Sequence, residues 1–368
     1  MADTNPKQAV LRAARPFRRV FTALRGVPTR ILRAYHGRQA YLARHAPPIR
    51  AGEADELTEV DGYWGGHTVY SPPFATAGES SRNLEWRFEE HPLFREFSGL
   101  WGEHDGEVVL DYGCGPGNDL VGFLIHTGAE KVIGLDISRE ALELARRRIA
   151  LHRVPRDRVE LIQLNDSRPQ IPLPDGSVDF LQSQGVLQHT SDPLSILREL
   201  HRVLKPGGEA RVMVYNRESV WLHLYTAYVV MELEGQHRGV DVEEAFQLTT
   251  DGPECPIARC WRPRDFTALC AEAGFETEFL GGYLTRHELE MLSGHLDRAV
   301  GDPRLAEEHR GFLRSLEFDR AGLPLHGEAY AGVGGAYLLR SPASSPTPDG
   351  GGEARHQPDA VTSDSQRA

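Results

Sequence analysis

Carboxylates and glycines mark the first candidate site. Val108-Val109-Leu110-Asp111-Tyr112-Gly113-Cys114-Gly115-Pro116-Gly117-Asn118 reads as a buried strand running into a G-x-G-x-G turn and then a helix. Glycine lets the backbone approach a ligand closely and adopt φ > 0. The helix N-terminus offers N–H groups without intrahelical partners. A second acid, Asp136, ends the next apolar run, nineteen residues beyond Gly117. A carboxylate at that place can accept both hydroxyls of a ribose. Asp111, Gly113, Gly115, Gly117 and Asp136 therefore predict a site for an adenosine-containing ligand at the carboxyl ends of the strands. Cys114 occupies a loop position where a small side chain suffices, and it is assigned no chemistry.

The loop also discriminates between ligands. A dinucleotide site wants G-x-G-x-x-G, with a pyrophosphate on the helix N-terminus. Here Asn118 stands where that pattern places its third glycine, and Asp111 and Asp119 flank the turn. Two carboxylates would repel a pyrophosphate, but they favour a sulfonium and an α-ammonium. The expected ligand is S-adenosylmethionine. A nicotinamide-dependent oxidoreductase, or a non-catalytic adenosine-binding module docking through a basic arm, are the alternative readings.

The elements that must position these residues alternate strand and helix. Strands are predicted at 107–112, 131–136, 159–164, 178–183 and 209–215, with helices at 119–126, 138–151 and 192–204 between them. A further helix at 265–273 and strands at 276–281 and 331–340 follow. This rhythm predicts a doubly wound, Rossmann-like parallel sheet with helices on both faces. Residues 138–151 carry Glu140 and Glu143 early and Arg146, Arg147 and Arg148 late, as the helix dipole favours. Segments 217–262 and 284–326 are too long for plain connections and are expected to be lids or substrate-binding caps.

Five ordered motifs make the sequence resemble the class I S-adenosylmethionine-dependent methyltransferases, in the small-molecule group often called type 11. The resemblance covers residues 106–217, and more weakly 263–340. Asp111–Gly117 matches the first motif. Val132-Ile133-Gly134-Leu135-Asp136-Ile137-Ser138 matches the second, Asn165-Asp166-Ser167 the third and Asp179–His189 the fourth, which includes Ser183. Leu204-Lys205-Pro206-Gly207-Gly208 matches the turn before the fifth strand. The resemblance implies a seven-stranded, mostly parallel sheet with an antiparallel last strand. It implies Asp136 on the ribose, Ile137 against the adenine and Asp166 facing the adenine amine, with Ser167 and Ser183 beside the cofactor.

On the acceptor side, His189 follows the fourth strand. It either takes a proton from the acceptor or hydrogen-bonds a loop. His67, Tyr215 and His223 are further acceptor-side candidates. In similar enzymes an N-terminal segment folds over the cofactor, so Tyr63 and Trp64 either shield the sulfonium by cation–π attraction or form a core aromatic cluster. Trp221 opens the first insertion and either lines the acceptor pocket or belongs to an apolar helix face. Cys255, Cys260 and Cys270 lack a zinc ligand spacing, and no metal is expected. The expected partner is a small-molecule methyl acceptor. A nucleic-acid amine methyltransferase would carry Asn/Asp-Pro-Pro-aromatic after the fourth strand, where this chain reads Ser183-Gln184-Gly185-Val186.

Charge and composition agree with that reading. The 368 residues carry a net charge of −12, but residues 1–50 are strongly basic and the remainder is strongly acidic. An acidic body disfavours nucleic acid as a partner. The basic arm 1–50 reads as an amphipathic helix on anionic lipid or a protein partner, as a poorly ordered extension, or as a transit peptide. Arg25, Arg30 and Arg33 break the apolar run that a twin-arginine export signal needs. Residues 51–105 are expected to form a cap, 106–340 the catalytic domain, and 341–368 a disordered tail. Four cysteines make no disulfide framework in a chain this long, so a reducing, cytoplasmic compartment is expected.

Overall fold

The computed structural model describes residue 41 and residues 44–52, 57–68 and 74–343. The periodicity expected in the basic arm up to residue 40, and the tail beyond residue 343, lie outside the described residues.

Strand β1 (Ile49–Ala51) comes first, across the boundary expected between arm and cap. Helices α1 (Glu59–Gly66), α2 (Ala77–Glu90) and α3 (Phe94–Ser98) follow. The alternating core comprises β2 (Val108–Tyr112), α4 (Asn118–His126), β3 (Lys131–Asp136), α5 (Arg139–Leu151), β4 (Val159–Gln163), β5 (Val178–Gln184), α6 (Pro193–Val203) and β6 (Leu204–Asn216). The first insertion contributes α7 (Trp221–Leu233), α8 (Val242–Thr250) and β7 (Cys260–Trp261). Next come α9 (Pro263–Glu272) and β8 (Glu276–Tyr283). The second insertion holds α10 (Arg286–Gly301), α11 (Glu307–Arg314), β9 (Leu316–Phe318) and β10 (Pro324–His326). It leads into β11 (Ala329–Tyr330) and β12 (Gly334–Arg340).

The main sheet runs β1-β4-β3-β2-β5-β6-β12-β8, with β7 also beside β6. The seven expected strands form its core, and β1 and β7 add two short strands. β12 pairs antiparallel with both β6 and β8, while the pairs from β1 to β6 are parallel. Strands this central are covered on both faces, so their sequences are near-continuous apolar runs. Leu110, Leu135, Leu181 and Val212 face α6 and α9, whereas Val109, Val132, Leu161 and Phe180 face α4 and α5.

Local chemistry sets the helix starts. Ser138 Oγ accepts the N–H of Ala141 and starts α5, and Asp192 accepts that of Ser195 with Pro193 at the first helical position of α6. The two insertions share one core. Leu224 and Tyr228 of α7 pack with Leu292 and Ala299 of α10 and with Phe312 of α11. Helix α7 is wound as a π-helix, with Glu234 N–H on the Val229 carbonyl at 3.0 Å. No helix among the described residues is long and apolar enough to cross a membrane.

Helix α2 is held to α4 and α5 by two arginines. Arg87 pairs with Asp119 at the start of α4. Arg148 does not project into solvent at the end of α5. It is buried, donating to Ser80 Oγ at 2.7 Å and to the Ser80 carbonyl at 3.0 Å. Burial, with Arg87 nearby, pulls Arg148 down to about 10. Removing one partner of a buried pair strands the other charge away from water. Arg87→Met should therefore cost about 3–5 kcal/mol in urea denaturation, and Arg87→Met/Asp119→Leu should recover most of that loss.

Candidate functional site

A cleft of about 780 Å³ opens at the carboxyl ends of β2, β3 and β5. Its floor is the glycine turn, which the neighbouring strand holds. Gly113 N–H and Cys114 N–H both reach the Leu135 carbonyl, at 2.8 and 2.9 Å. Gly113 has φ +74°, and an added Cβ would lie 2.2 Å from Val186 Cγ2. A side chain at Gly115 would project into open space, so the bare backbone there is free to meet a ligand.

Asp136 ends β3 on the cleft wall. Its carboxylate accepts Gly115 N–H and Ser138 N–H, each at 2.7 Å. Burial raises it to about 6 despite those bonds. Four lone-pair positions exist on a carboxylate, so acceptor capacity remains for two hydroxyls. Ile137, Leu164 and Ala141 supply apolar wall beside it.

The two acids flanking the turn differ. Asp119 is committed to Arg87. Asp111 is buried, and its Oδ2 has no hydrogen-bond partner. Burial pushes Asp111 well up, with Asp119 and Asp136 adding and Arg87 opposing. The electrostatic case for a cationic ligand therefore narrows to Asp111. A buried acceptor without a donor fits a cofactor that brings an ammonium or sulfonium.

Helix α1 roofs the cleft. Val60, Trp64 and His67 lie along it at helical spacing and line the space below. Thr58 and Asp61 form a capping box at its start. Asp61 Oδ1 also accepts Asp166 N–H at 2.9 Å, which ties the roof to the loop after β4. Asp166 lines the cleft, and its carboxylate accepts Ser191 N–H at 3.1 Å and Ser191 Oγ–H at 2.5 Å.

His189 stands at the far end of the cleft. Its Nδ1 is 2.8 Å from the Ile257 carbonyl, an acceptor only, so Nδ1 carries the hydrogen and Nε2 presents a lone pair. Nε2 lies 3.8 Å from Asp251 Oδ1. Desolvation lowers His189, which keeps the ring neutral near pH 7. Tyr215 donates to Asp251 Oδ1 at 3.0 Å, and the Trp64 ring sits 4.9 Å from the imidazole.

Asp111, Gly113, Gly115, Asp136, Ile137, Asp166, Trp64, His67 and His189 thus converge on or beside one cleft. Others do not reach it. Cys114 packs under the turn near the Gly134 backbone, and Gly117 abuts Ala145. Ser183 is fully buried in β5. Ser167 folds back onto Asn165 Oδ1 and faces outward. Tyr63 stacks on His67 and donates to the Asp251 carbonyl behind the roof. Trp221 gives its Nε1–H to Thr250, and His223 is stacked on Phe312 and bonded to His309 at 2.9 Å, both within the insertion packing. Periodicity puts these last two on a helix but does not say which neighbour that helix meets. Asp251 escapes sequence reasoning, since Asp251-Gly252-Pro253 reads locally as a turn.

A family model described as "Methyltransferase domain" matches residues 110–212. A demethylmenaquinone methyltransferase of Listeria monocytogenes is 30% identical over 202 residues, which are 52% of this chain and 77% of the relative. An uncharacterized protein from a Streptomyces fradiae transposon is 46% identical over 105 residues, 28% of each chain. A solved S-adenosylmethionine-dependent methyltransferase from Aquifex aeolicus aligns at 20% identity and TM-score 0.38, covering 56% of this chain and 93% of that one. The chain belongs to the class I S-adenosylmethionine-dependent methyltransferases. Its cofactor is S-adenosylmethionine, which sets aside the nicotinamide reading.

The floor of the cleft carries a stability prediction. Gly113→Ala combines a strained backbone with an overpacked contact and should destabilise the chain by about 2–5 kcal/mol in urea denaturation. Adding Val186→Ala should return only the overpacking part.

Proposed function

We propose that the chain transfers the methyl group of S-adenosylmethionine to an oxygen, nitrogen or carbon of a small molecule held between Trp64, Gln184 and His189. The observation that carries this reading is one continuous cleft, lined at one end by Gly113, Gly115 and Asp136 and at the other by His189. When bound, S-adenosylmethionine supplies a methyl group already activated by its sulfonium.

The residues divide the work. Asp136 would accept the ribose hydroxyls with the lone pairs that Gly115 and Ser138 leave over. Ile137 would lie against the adenine, and Asp166 would meet the adenine amine with its remaining acceptor capacity. The Asp111 carboxylate would be the counter-charge for the cationic end. Trp64 excludes water from above, and positioning in such a closed space accounts for much of the rate. His189 Nε2 is the base that receives a proton from the acceptor.

The pH dependence follows from Asp136. Its folded-state value near 6 lies above the ordinary 3.8, so the empty site takes up a proton as pH falls through about 6. Ribose hydroxyls are donors and prefer the carboxylate. Calorimetry should show S-adenosylhomocysteine affinity rising with pH through about 6 and then levelling. Asp136→Asn should bind more weakly with no such rise, and undiminished affinity in that variant would refute the assignment. His189→Gln should lower kcat by about 10²-fold or more while leaving S-adenosylhomocysteine binding intact. It should also remove the loss of rate that protonation of His189 causes in wild type, which burial moves to pH values below the ordinary histidine range.

A further inference from the structure

His189 lines one wall of the cleft, and Asp251 lies directly behind it. His189 Nε2 has no hydrogen, because Nδ1–H is spent on the Ile257 carbonyl. Asp251 faces it at 3.8 Å, and its side chain is only 10% exposed. One Asp251 oxygen takes the Tyr215 hydroxyl, and the other, Oδ2, is buried with no partner. A single ligand atom that bonds both Nε2 and the Asp251 carboxylate must carry at least two hydrogens. A hydroxyl carries one and an alkylammonium carries three. A nitrogen about 2.9 Å from both Nε2 and Oδ1 closes a triangle on that 3.8 Å base.

The surroundings favour positive charge. The Trp64 ring lies 4.9 Å from the imidazole and the Tyr215 ring stands edge-on at 5.6 Å, so aromatic walls flank the gap. Glu254, beside His67 at 3.7 Å, adds negative charge at the rim. Arg259 comes near but gives its Nη1–H to the Thr190 carbonyl at 2.6 Å.

We infer that the methyl acceptor is an amine, bound as its ammonium between His189 Nε2 and the Asp251 carboxylate. The inference rests on the methyl-transfer reading above. The ammonium gives one proton to Nε2, and the resulting imidazolium faces the Asp251 carboxylate. The freed nitrogen lone pair forms the new N–CH₃ bond as the methyl–sulfur bond breaks, with its electron pair left on sulfur. Tyr215 positions Asp251, and Asp251 selects nitrogen over oxygen.

The test uses the full chain saturated with S-adenosylhomocysteine and isosteric probe pairs, phenethylamine against 2-phenylethanol and hexylamine against hexanol. Calorimetry should show each amine binding at least tenfold more tightly than its alcohol. In Asp251→Asn that preference should fall to within twofold, with S-adenosylhomocysteine affinity kept. Equal or tighter binding of the alcohols, binding of neither probe, or a preference that survives in Asp251→Asn would overturn the inference. Failure of wild type to bind S-adenosylhomocysteine would instead strike the methyl-transfer reading itself.

Discussion

The site depends on one carboxylate at the end of one strand. Asp136 accepts Gly115 N–H from the first βα turn and Ser138 N–H from the second, each at 2.7 Å. Both βα turns are thereby tied to the end of β3. The cost is a buried charge, visible as a value raised to about 6. A ligand that donates to the same oxygens relieves part of that cost.

Buried charges elsewhere are handled differently. Arg87 and Asp119 satisfy each other, and Arg148 donates to Ser80 and Asn83 of α2 and to Asn118 of α4. These clamps hold a helix that carries no catalytic group. At the cleft the pattern reverses, with Asp111 Oδ2, Asp251 Oδ2, Trp64 Nε1 and Gln184 Oε1 all buried and unpartnered. Orphaned polar atoms are costly and rare in folded chains. Trp64 and Gln184 line the cleft, where a ligand can supply the missing partners.

The surroundings of His189 are an assembly of distant segments. Trp64 comes from the N-terminal roof, His189 from the turn after β5, Tyr215 from β6 and Asp251 from the first insertion. That insertion shares a core with the second through α7, α10 and α11. Asp251 itself is held by Tyr63 from the roof and Tyr215 from β6. The helical packing of the insertions acts on the site indirectly, by placing one carboxylate.

The sheet, its helices and the convergence of Gly113, Gly115 and Asp136 on one cleft were legible in the sequence because their signals are local. Period-2 and period-3.6 patterns, Ser138 and Asp192 as caps, and the glycines between Asp111 and Asn118 each act within a few residues. Two acids beside the glycine turn looked alike in sequence, and only packing assigned Arg87 to one of them. Trp221 and His223 looked like acceptor-side groups, yet α7 turns them into the shared core of the insertions. Asp251, an ordinary turn acid by its neighbours, became the carboxylate facing the imidazole. Local periodicity determines which elements form and which face of each is apolar. Which buried carboxylate finds a cation, and which is left without one, depends on contacts between residues far apart in the chain, and these exist only once the elements have packed.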